Sequence, residues 1–384
     1  MNLDEDFVSE SFLRSDRIYL NNASSSLIPI QSMKTMTDFM LQYNKLGPDS
    51  RDFALLLAEK TNSLRCAVSK LVRCRPEEVI LTQSTTDGIN LVAGGLLLEN
   101  NSNIVIRGTT HEHHANYFPW LRLGKKVQIR NVEHDHNGFF RLSELEGLLD
   151  RDTRLVALSH ALYNTGAVLP INEIGKILQE RGVPFFIDAA QTVGCIGDFD
   201  FESAKYSFMA FNGFKWLCGP MGIGIFICKK EAGDLLEPLQ IAGESAMLYD
   251  SNKIAYKELP DKFQASYRNY VAIAGLDSSI TLLTRLGLEN IREKIIGLAN
   301  LLRQELTKIP GVTLYGPDEA EKRTSIVSFT IDGHAPDDTV RMLEKHKIVV
   351  ALREISNLKV IRISPHFFNT ESEIQRTVEA IRRL

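Results

Sequence analysis

One lysine, Lys215, stands between Phe214 and Trp216 in FNGFKWLCGPMGIGIFIC (residues 211–228), ahead of a glycine-rich turn and an apolar run. A lysine can lie along apolar surface with its ammonium in water, so taken alone it is an ordinary loop-edge residue. The same apolar walls lower an amine's pKa, which an amine that condenses with a carbonyl requires. Asp188 closes the apolar run PFFID, with Gln191 just beyond. A carboxylate there is either a turn or capping residue or the partner of a buried cation, because an unpaired charge in apolar surroundings is costly. Ser84-Thr85-Thr86-Asp87 has the S-x-x-D form of a capping box. It is equally a helix start with spare N–H groups and two threonine hydroxyls, the makings of a phosphate cradle. In THEHHAN, His111, His113 and His114 crowd together, but no cysteine or carboxylate pair nearby completes a metal site.

For these residues to meet, a scaffold must bring them to one edge. Short β-branched and aromatic runs alternate with longer helical patterns. The runs are VILT (79–82), IVIR (104–107), VQIR (127–130), RLVALSH (154–160), PFFID (184–188), YSFMAF (206–211) and IGIFIC (223–228). Between several of them lie patterns such as TDGINLVAGGLLL and INEIGKILQERG. This predicts an α/β fold of βαβ units, with a mostly parallel sheet covered by helices on both faces. In such sheets ligands sit beyond the carboxyl ends of the strands. The residues that follow those ends are Ser84–Asp87, the loop GTTHEHHAN, ALYNTG, Asp188 with Gln191, and NGFK.

Residues 241–262 have no clear period and read as a connection. Two helical stretches follow, RNYVAIAGLDSSITLLTRLG and LENIREKIIGLANLLRQELTKI. Strands VTLYG, SIVSFTID, IVVALRE and KVIRISP, with helices PDDTVRMLEKHK and TESEIQRTVEAIRRL, make a second, smaller α/β unit. The expected division is a large domain over residues 18–261 and a small domain from residues 1–17 and 262–384.

A single ligand uses all of these parts: an aldehyde for Lys215, a phosphate for Thr85 and Thr86, a basic ring nitrogen for Asp188, and a flat face for the imidazole of His113. That ligand is pyridoxal 5′-phosphate, whose electron-sink chemistry needs the lysine and the ring-nitrogen partner. Bulk composition agrees with a small-molecule enzyme. The 384 residues are 44% hydrophobic and 24% charged, as in an ordinary soluble globular protein. A formal net charge of −4 offers no basic field for nucleic acid or an anionic membrane. No apolar run approaches a membrane span, and the acidic start MNLDEDFVSESF lacks the build of a signal peptide. Five cysteines without C-x-x-C spacing argue against a disulfide framework or a zinc site and for a reducing cytoplasm.

Together these residues resemble the fold type I pyridoxal-phosphate enzymes, in the class V aminotransferase group that contains the cysteine desulfurases. The resemblance runs from IYLNNASSSLIP to RISPHFFNTESEI, nearly the whole chain. It takes in the T-T-D-G-I-N turn, E-H-H-A-N, D-A-A-Q after a strand, and the lysine before G-P-M-G-I-G. The resemblance implies Lys215 as the Schiff-base lysine and Asp188 as the partner of the pyridine nitrogen. It implies Gln191 near the ring hydroxyl, His113 stacked on the ring, and Thr85 and Thr86 on the phosphate. Asn212 and Tyr163 are implied beside the cofactor. Arg362, in VIRIS, is implied as the holder of the substrate carboxylate, with Asn22 and Ala23 of the opening segment at the substrate; Arg353 is the next candidate for the anchor. A homodimer acting on a small amino acid is expected as well.

Departures from the family bear on the reaction. Desulfurases carry a sulfur-accepting cysteine on a C-terminal loop, whereas IVVALREISNLKVIRIS passes between strands by a short link without one. The S-G-H-K of many relatives is N-G-F-K here, which puts Phe214 where a histidine stands. HALYNTG places Tyr163, with Asn164 adjacent, where a desulfurase asparagine approaches the ring. The G-T-x-N segment that often crosses a dimer interface reads Ser266-Tyr-Arg-Asn269. Cys218, three residues past Lys215, sits in an apolar turn where burial should leave its thiol inert. The expected function is a desulfurase-like lyase that eliminates a β-substituent without a persulfide relay. Transamination and epimerisation share its first steps, and a non-catalytic binding protein on the same scaffold would be colourless. Segments 44–54, 243–250 and 353–359 are read as pocket loops with no legible substrate code.

Overall fold

The computed structural model describes residues 3–13, 15–108 and 111–384. Its largest sheet has seven strands: β1 (Val79–Thr82), β2 (Asn103–Arg107), β3 (Gln128–Val132), β4 (Thr153–Ser159), β5 (Phe185–Asp188), β6 (Phe208–Asn212) and β7 (Gly224–Cys228). Their order across the sheet is β1-β7-β6-β5-β4-β2-β3. Neighbours from β6 to β3 pair in parallel, while β7 runs antiparallel to both β6 and β1. The exception has a simple cause. Only Gly213–Ile223 separates β6 from β7, too little chain for a crossover helix, so the strand has to return antiparallel.

Alternate side chains on the central strands enter different cores. Phe185, Ile187, Met209, Phe211, Ile225 and Ile227 pack on one face. Phe186, Phe208, Ala210, Phe226 and Cys228 pack on the other. Burial on both faces is why these strands read as unbroken apolar runs rather than as an alternation. Register aligns the carboxyl ends, with Ser159 beside Asp188 and Asp188 beside Ala210.

A second sheet contains β8 (Val312–Tyr315), β9 (Val327–Ile331), β10 (Ala351–Ile355) and β11 (Leu358–Ile363), ordered β8-β9-β11-β10 and wholly antiparallel. The opening segment is tied to this part of the chain. Ile18–Tyr19 pairs in parallel with Ile348–Val349, and Asn21 bridges Ser364. IVVALRE is therefore two short strands and not one. Its first half serves the N-terminal segment and its second half pairs with β11.

Two further expectations need correction. Residues 241–262 include an antiparallel hairpin, Ala246–Asp250 with Lys253–Tyr256. Most of its side chains are exposed, so no buried face imposed a period of two on the sequence. Of the segment 44–54, only residues 47–50 lie between helices. The rest ends α1 (Ile30–Leu46) or starts α2 (Arg51–Val72), and Phe39 of α1 and Phe53 of α2 pack with Ala274. Downstream, α5 (Tyr270–Leu286) and α6 (Leu288–Leu306) follow the expected order, after α3 (Thr85–Gly95) and α4 (Ile171–Glu180). Among the described residues, no single helix is long and apolar enough to cross a membrane.

Candidate active site

At the carboxyl edge of the seven-stranded sheet, a small cavity is lined by Thr85, Thr86, His113, Ala115, Ser159, Ala161, Tyr163, Asp188, Ala190, Gln191, Asn212 and Lys215. Eight of the residues singled out in the sequence thus meet in one place, although they come from five separate segments.

Lys215 begins the turn between β6 and β7. Its neighbours Trp216, Leu217 and Cys218 have no solvent exposure, and Cys218 adopts φ +54°, the left-handed backbone that closes the turn. The opening segment locks this turn from outside, through Ser26 N–H donating to the Phe214 carbonyl at 2.8 Å. An ordinary edge lysine would have a water-facing rim for its ammonium. Burial here draws the Lys215 pKa down to about 8, and Asp188 opposes that shift.

Asp188, 6% exposed, accepts a hydrogen bond from Ala190 N–H at 2.9 Å. Burial raises its pKa to about 6 against that bond and the pull of Lys215. It is therefore a carboxylate held at some cost, the condition in which a cationic partner is most strongly bound.

The helix α3 begins at the same edge. Ser84 Oγ accepts from Asp87 N–H at 3.2 Å, while the Asp87 carboxylate takes the N–H of Gln83 at 3.1 Å, one residue earlier than a capping box requires. Gly88 seats this first turn on the sheet: a Cβ there would stand 2.9 Å from the Ala210 Cβ. Asn212 Oδ1 takes the Thr85 N–H at 2.9 Å, and the Thr85 hydroxyl oxygen is buried without a partner. A buried hydroxyl is costly to leave unbonded, so this one marks where an external acceptor or donor fits.

His113 is exposed at the cavity mouth, its ring edge-on to Tyr163 at 5.1 Å between centroids. Its Nδ1 accepts from Ala115 N–H, and desolvation together with Lys215 lowers its pKa. The other two histidines go elsewhere. His111 Nδ1 pairs with Asn164 Oδ1, and His114 stacks on Phe118. Gln191 is spoken for at both ends of its amide: Nε2 donates to the Ala23 carbonyl at 3.0 Å and Oε1 accepts from Trp216 Nε1 at 2.9 Å. It thereby joins the opening segment to the lysine turn.

Arg362, Asn22 and Ala23 do not line the cavity wall, but Arg362 borders it. Only 1% exposed, it donates to the Tyr163 carbonyl at 2.7 Å, to Asn21 Oδ1 at 3.2 Å and to Ser24 Oγ at 2.7 Å. Its Nε has no partner, and burial, reinforced by Arg353, depresses its pKa. Asn22 turns the other way: its amide binds the Ser364 carbonyl at 2.9 Å and its oxygen accepts from Ser26. Asn21 and Ser24, absent from the sequence-based list, are thus the residues of the opening segment that reach the arginine. Nothing local distinguishes Asn21 from Asn22 in LNNASSS; only the bridge to Ser364 sets which one faces inward.

Glu112 was also missed. Wholly buried, it pairs with Arg107 at 3.3 Å and accepts from Ser159 N–H and Oγ and from Asn116. This network anchors the segment carrying His113 to the end of β4. The thiols lie apart from the cavity. Cys218 is buried with Sγ 3.4 Å from His366 Nε2, and burial pushes its pKa up to about 12. His366 Nδ1 accepts from Phe367 N–H, which leaves the proton on Nε2, so the pair is neutral.

Residues 18–377 match the family model for Aminotransferase class-V. A probable cysteine desulfurase of Pyrococcus abyssi is 30% identical over 100% of this chain and 98% of its own length. Another, from Methanothermobacter thermautotrophicus, is 29% identical over 99% and 98%. Among solved structures, the apo cysteine desulfurase of Thermococcus onnurineus superposes with a TM-score of 0.92 at 27% identity, covering 100% of this chain and 98% of that one.

Proposed function

This chain belongs to the class V aminotransferase family of fold type I pyridoxal-phosphate-dependent enzymes, and we propose that within it the protein is a cysteine desulfurase-like C–S lyase that releases sulfur without a cysteine relay of its own. The observation that carries the reading is the meeting of Lys215, Asp188 and the unpartnered Thr85 hydroxyl in one cavity at the carboxyl edge of the sheet.

When bound, the cofactor supplies an electron sink for charge developing at the substrate Cα. Lys215 would hold the cofactor's aldehyde carbon, and its free amine would act as the base toward Cα–H. A pKa lowered to about 8 keeps a useful fraction of neutral amine near physiological pH. Asp188 holds the ring nitrogen's proton by a charge-assisted bond inside a buried site. Thr85, Thr86 and the N-terminal N–H groups of α3 take the phosphate, and Asn212 fixes the first of those N–H groups in place. His113, held edge-on to Tyr163, would pack its ring against the cofactor. Gln191 acts beside the ring and as a brace for Ala23 and Trp216. Arg362, whose Nε is buried without a partner, would take the substrate carboxylate with a planar fork of donors that lysine cannot copy.

The absence of a relay rests on where the thiols are. No cysteine lies beyond residue 228, and β10 and β11 are joined by only Ser356-Asn357, where the resemblance to desulfurases would lead one to expect a cysteine loop. Cys195 and Cys218 are buried, with pKa values pushed up to about 12. Cys66 is exposed on α2 and does not line the cavity. The sulfur would then either pass to a small thiol, leaving alanine, or depart by β-elimination as sulfide that solvent protonates, leaving pyruvate and ammonia. The division into units at 18–261, and 1–17 with 262–384, is part of the proposal. It is supported by the large sheet ending at Cys228 and the small sheet beginning at Val312. So is a homodimer: Leu239, Ile241, Met247, Leu248, Tyr249 and Tyr267 are large apolar side chains left exposed around the 246–256 hairpin. Asn269, whose family counterpart often crosses that interface, is spent here capping α5.

Incubation with L-cysteine and cystine tests the function. Sulfide or a small-molecule persulfide should accumulate with pyruvate or alanine, and intact-protein mass should show no persulfide. Keto acid formed with stoichiometric consumption of a second amino acceptor would instead establish a transaminase.

A further inference from the structure

Sulfur that departs by elimination leaves with negative charge and has to gain a proton. Few groups at the cavity have one to give. The Ser159 hydroxyl donates to Glu112 at 2.5 Å, the Ser24 hydroxyl to Asn21 Oδ1 at 2.7 Å, and the Tyr19 phenol to the Ser25 carbonyl at 2.8 Å. Gln191 is engaged at both ends of its amide. Arg353 and Arg362 are permanent cations with no proton to transfer. No thiol lines the cavity. Tyr163 does line it, together with Lys215, and among the described residues its phenol oxygen neither donates nor accepts a hydrogen bond.

The chain around Tyr163 explains how a free phenol is held in place. Leu162 N–H donates to the Ala167 carbonyl and Gly166 N–H to the Leu162 carbonyl, both at 2.9 Å, so residues 163–166 form the tip of a tight loop after β4. Gly166 takes φ +76°, and a Cβ on it would stand 2.7 Å from Thr324 Oγ1, so the loop closes only with glycine there. The small sheet grips the tip at two points. Arg362 Nη1 donates to the Tyr163 carbonyl at 2.7 Å, and Asn164 Nδ2 donates to the Glu354 carbonyl at 2.9 Å. The ring itself rests edge-on against His113, 5.1 Å between centroids. Burial raises the phenol's pKa, which keeps its proton in place near neutrality. Arg353 and Arg362 act against that shift, so they favour the oxygen once its proton has gone.

Accepting the C–S lyase reading above, we propose that Tyr163 is the acid that protonates sulfur as its bond to Cβ breaks, ahead of solvent. In that step Lys215 takes the Cα proton, and the electron pair of the Cα–H bond becomes the second bond between Cα and Cβ. The Cβ–S pair leaves with sulfur, and the Tyr163 proton moves onto it. L-Cysteine then yields hydrogen sulfide and an unsaturated amino acid, which water hydrolyses to pyruvate and ammonia. The phenolate left behind regains its proton from solvent. His113 is the rival donor, because its Nδ1 accepts from Ala115 N–H and its proton is therefore on Nε2.

Pyruvate formation by the holoenzyme from L-cysteine and from β-chloro-L-alanine tests this. Chloride is the anion of a strong acid and departs without a proton, whereas sulfide, the anion of a weak acid, gains from one. Tyr163→Phe should lose at least about tenfold with L-cysteine and stay within about threefold of wild type with β-chloro-L-alanine. The cofactor's visible band, and its change on titration with L-alanine, which has nothing to eliminate, should match wild type. An equal loss with both substrates, or a weakened L-alanine titration, would overturn the assignment and make Tyr163 a support for His113. No loss with either substrate would overturn it too and leave His113 as the donor. If wild type forms no pyruvate from L-cysteine, the elimination reading falls first and takes this one with it.

Discussion

The two ends of the active site are built differently. At the cofactor end, each functional group sits at or just past the end of a central strand: Asp188 on β5, Asn212 and Lys215 at β6, Thr85 after β1. The sheet's register places them, and one local stretch of sequence announces each. At the substrate end, Arg362 and Arg353 are held by Asn21, Ser24 and the Tyr163 carbonyl, from segments hundreds of residues apart. Rigid elements support the first end, and a knot of side-chain hydrogen bonds supports the second. The contrast is between groups placed by the ends of central strands and groups placed by contacts between distant segments.

If that contrast is right, damage at the cofactor end should abolish turnover and damage at the substrate end should change what is turned over. The largest effect is expected from Asp188→Ala. Leaving a ring-nitrogen cation without its buried partner costs roughly 2–5 kcal/mol in the states that need it. Turnover should drop by the corresponding one and a half to three and a half decades, at about 1.4 kcal/mol per decade, with little change in melting temperature. Near-normal turnover would remove Asp188 from the chemistry.

Arg362→Lys should come next. Losing this charge-assisted contact costs roughly 1.5–3 kcal/mol, so amino-acid titrations should weaken tenfold or more. The visible spectrum of the bound cofactor should stay intact. A lost spectrum would mean that the arginine supports the cofactor end instead, and the contrast would blur.

A pH series sharpens the cofactor end further. Burial depresses Lys215 from an ordinary 10.5 to about 8. Between those values the unfolded chain binds more protons than the folded one, so this group makes stability rise with pH across that window. Asp188 acts with the opposite sign. Raised from 3.8 to about 6, it binds more protons in the folded state, so its share of stability falls as pH climbs between those values. Capture of pyridoxal phosphate by the apo protein needs the neutral amine and should rise with a midpoint near 8. Asp188 favours the ammonium, so Asp188→Asn should move that midpoint lower. An unchanged midpoint would separate the two residues electrostatically.

The smallest effect is expected at Cys218. A thiol held neutral near His366 carries no sulfur, so Cys218→Ala should leave turnover within about twofold. Abolished turnover, with a stoichiometric persulfide on Cys218 in the wild type, would make this a relay desulfurase.

The same contrast explains what the sequence disclosed. Strands buried on both faces announced themselves as apolar runs, and Lys215, Asp188 and Thr85 were legible because the residues after such runs reach one edge. The hairpin at residues 246–256 was invisible because its side chains are mostly exposed and carry no period. Helices α1 and α2 were passed over for a related reason, since most of their side chains are polar or exposed and the buried residues are few and scattered. Ser24 and Asn21 could not be picked from LNNASSS, because their partners lie beyond residue 350. Glu112 stood beside the histidines that drew attention, yet its value depends on Arg107 and Ser159, which only folding brings near. Arg353 was reached only as a substitute for Arg362, when the structure has both on one hydroxyl.

The central claim is that Lys215 carries the cofactor. The direct measurement is borohydride reduction of the purified, coloured protein followed by peptide mass analysis. The account predicts one pyridoxyl-phosphate mass increment per chain, on the peptide that contains Lys215, and loss of both colour and increment in Lys215→Ala after dialysis. A label fixed on another lysine, or colour that survives dialysis of Lys215→Ala, would contradict it.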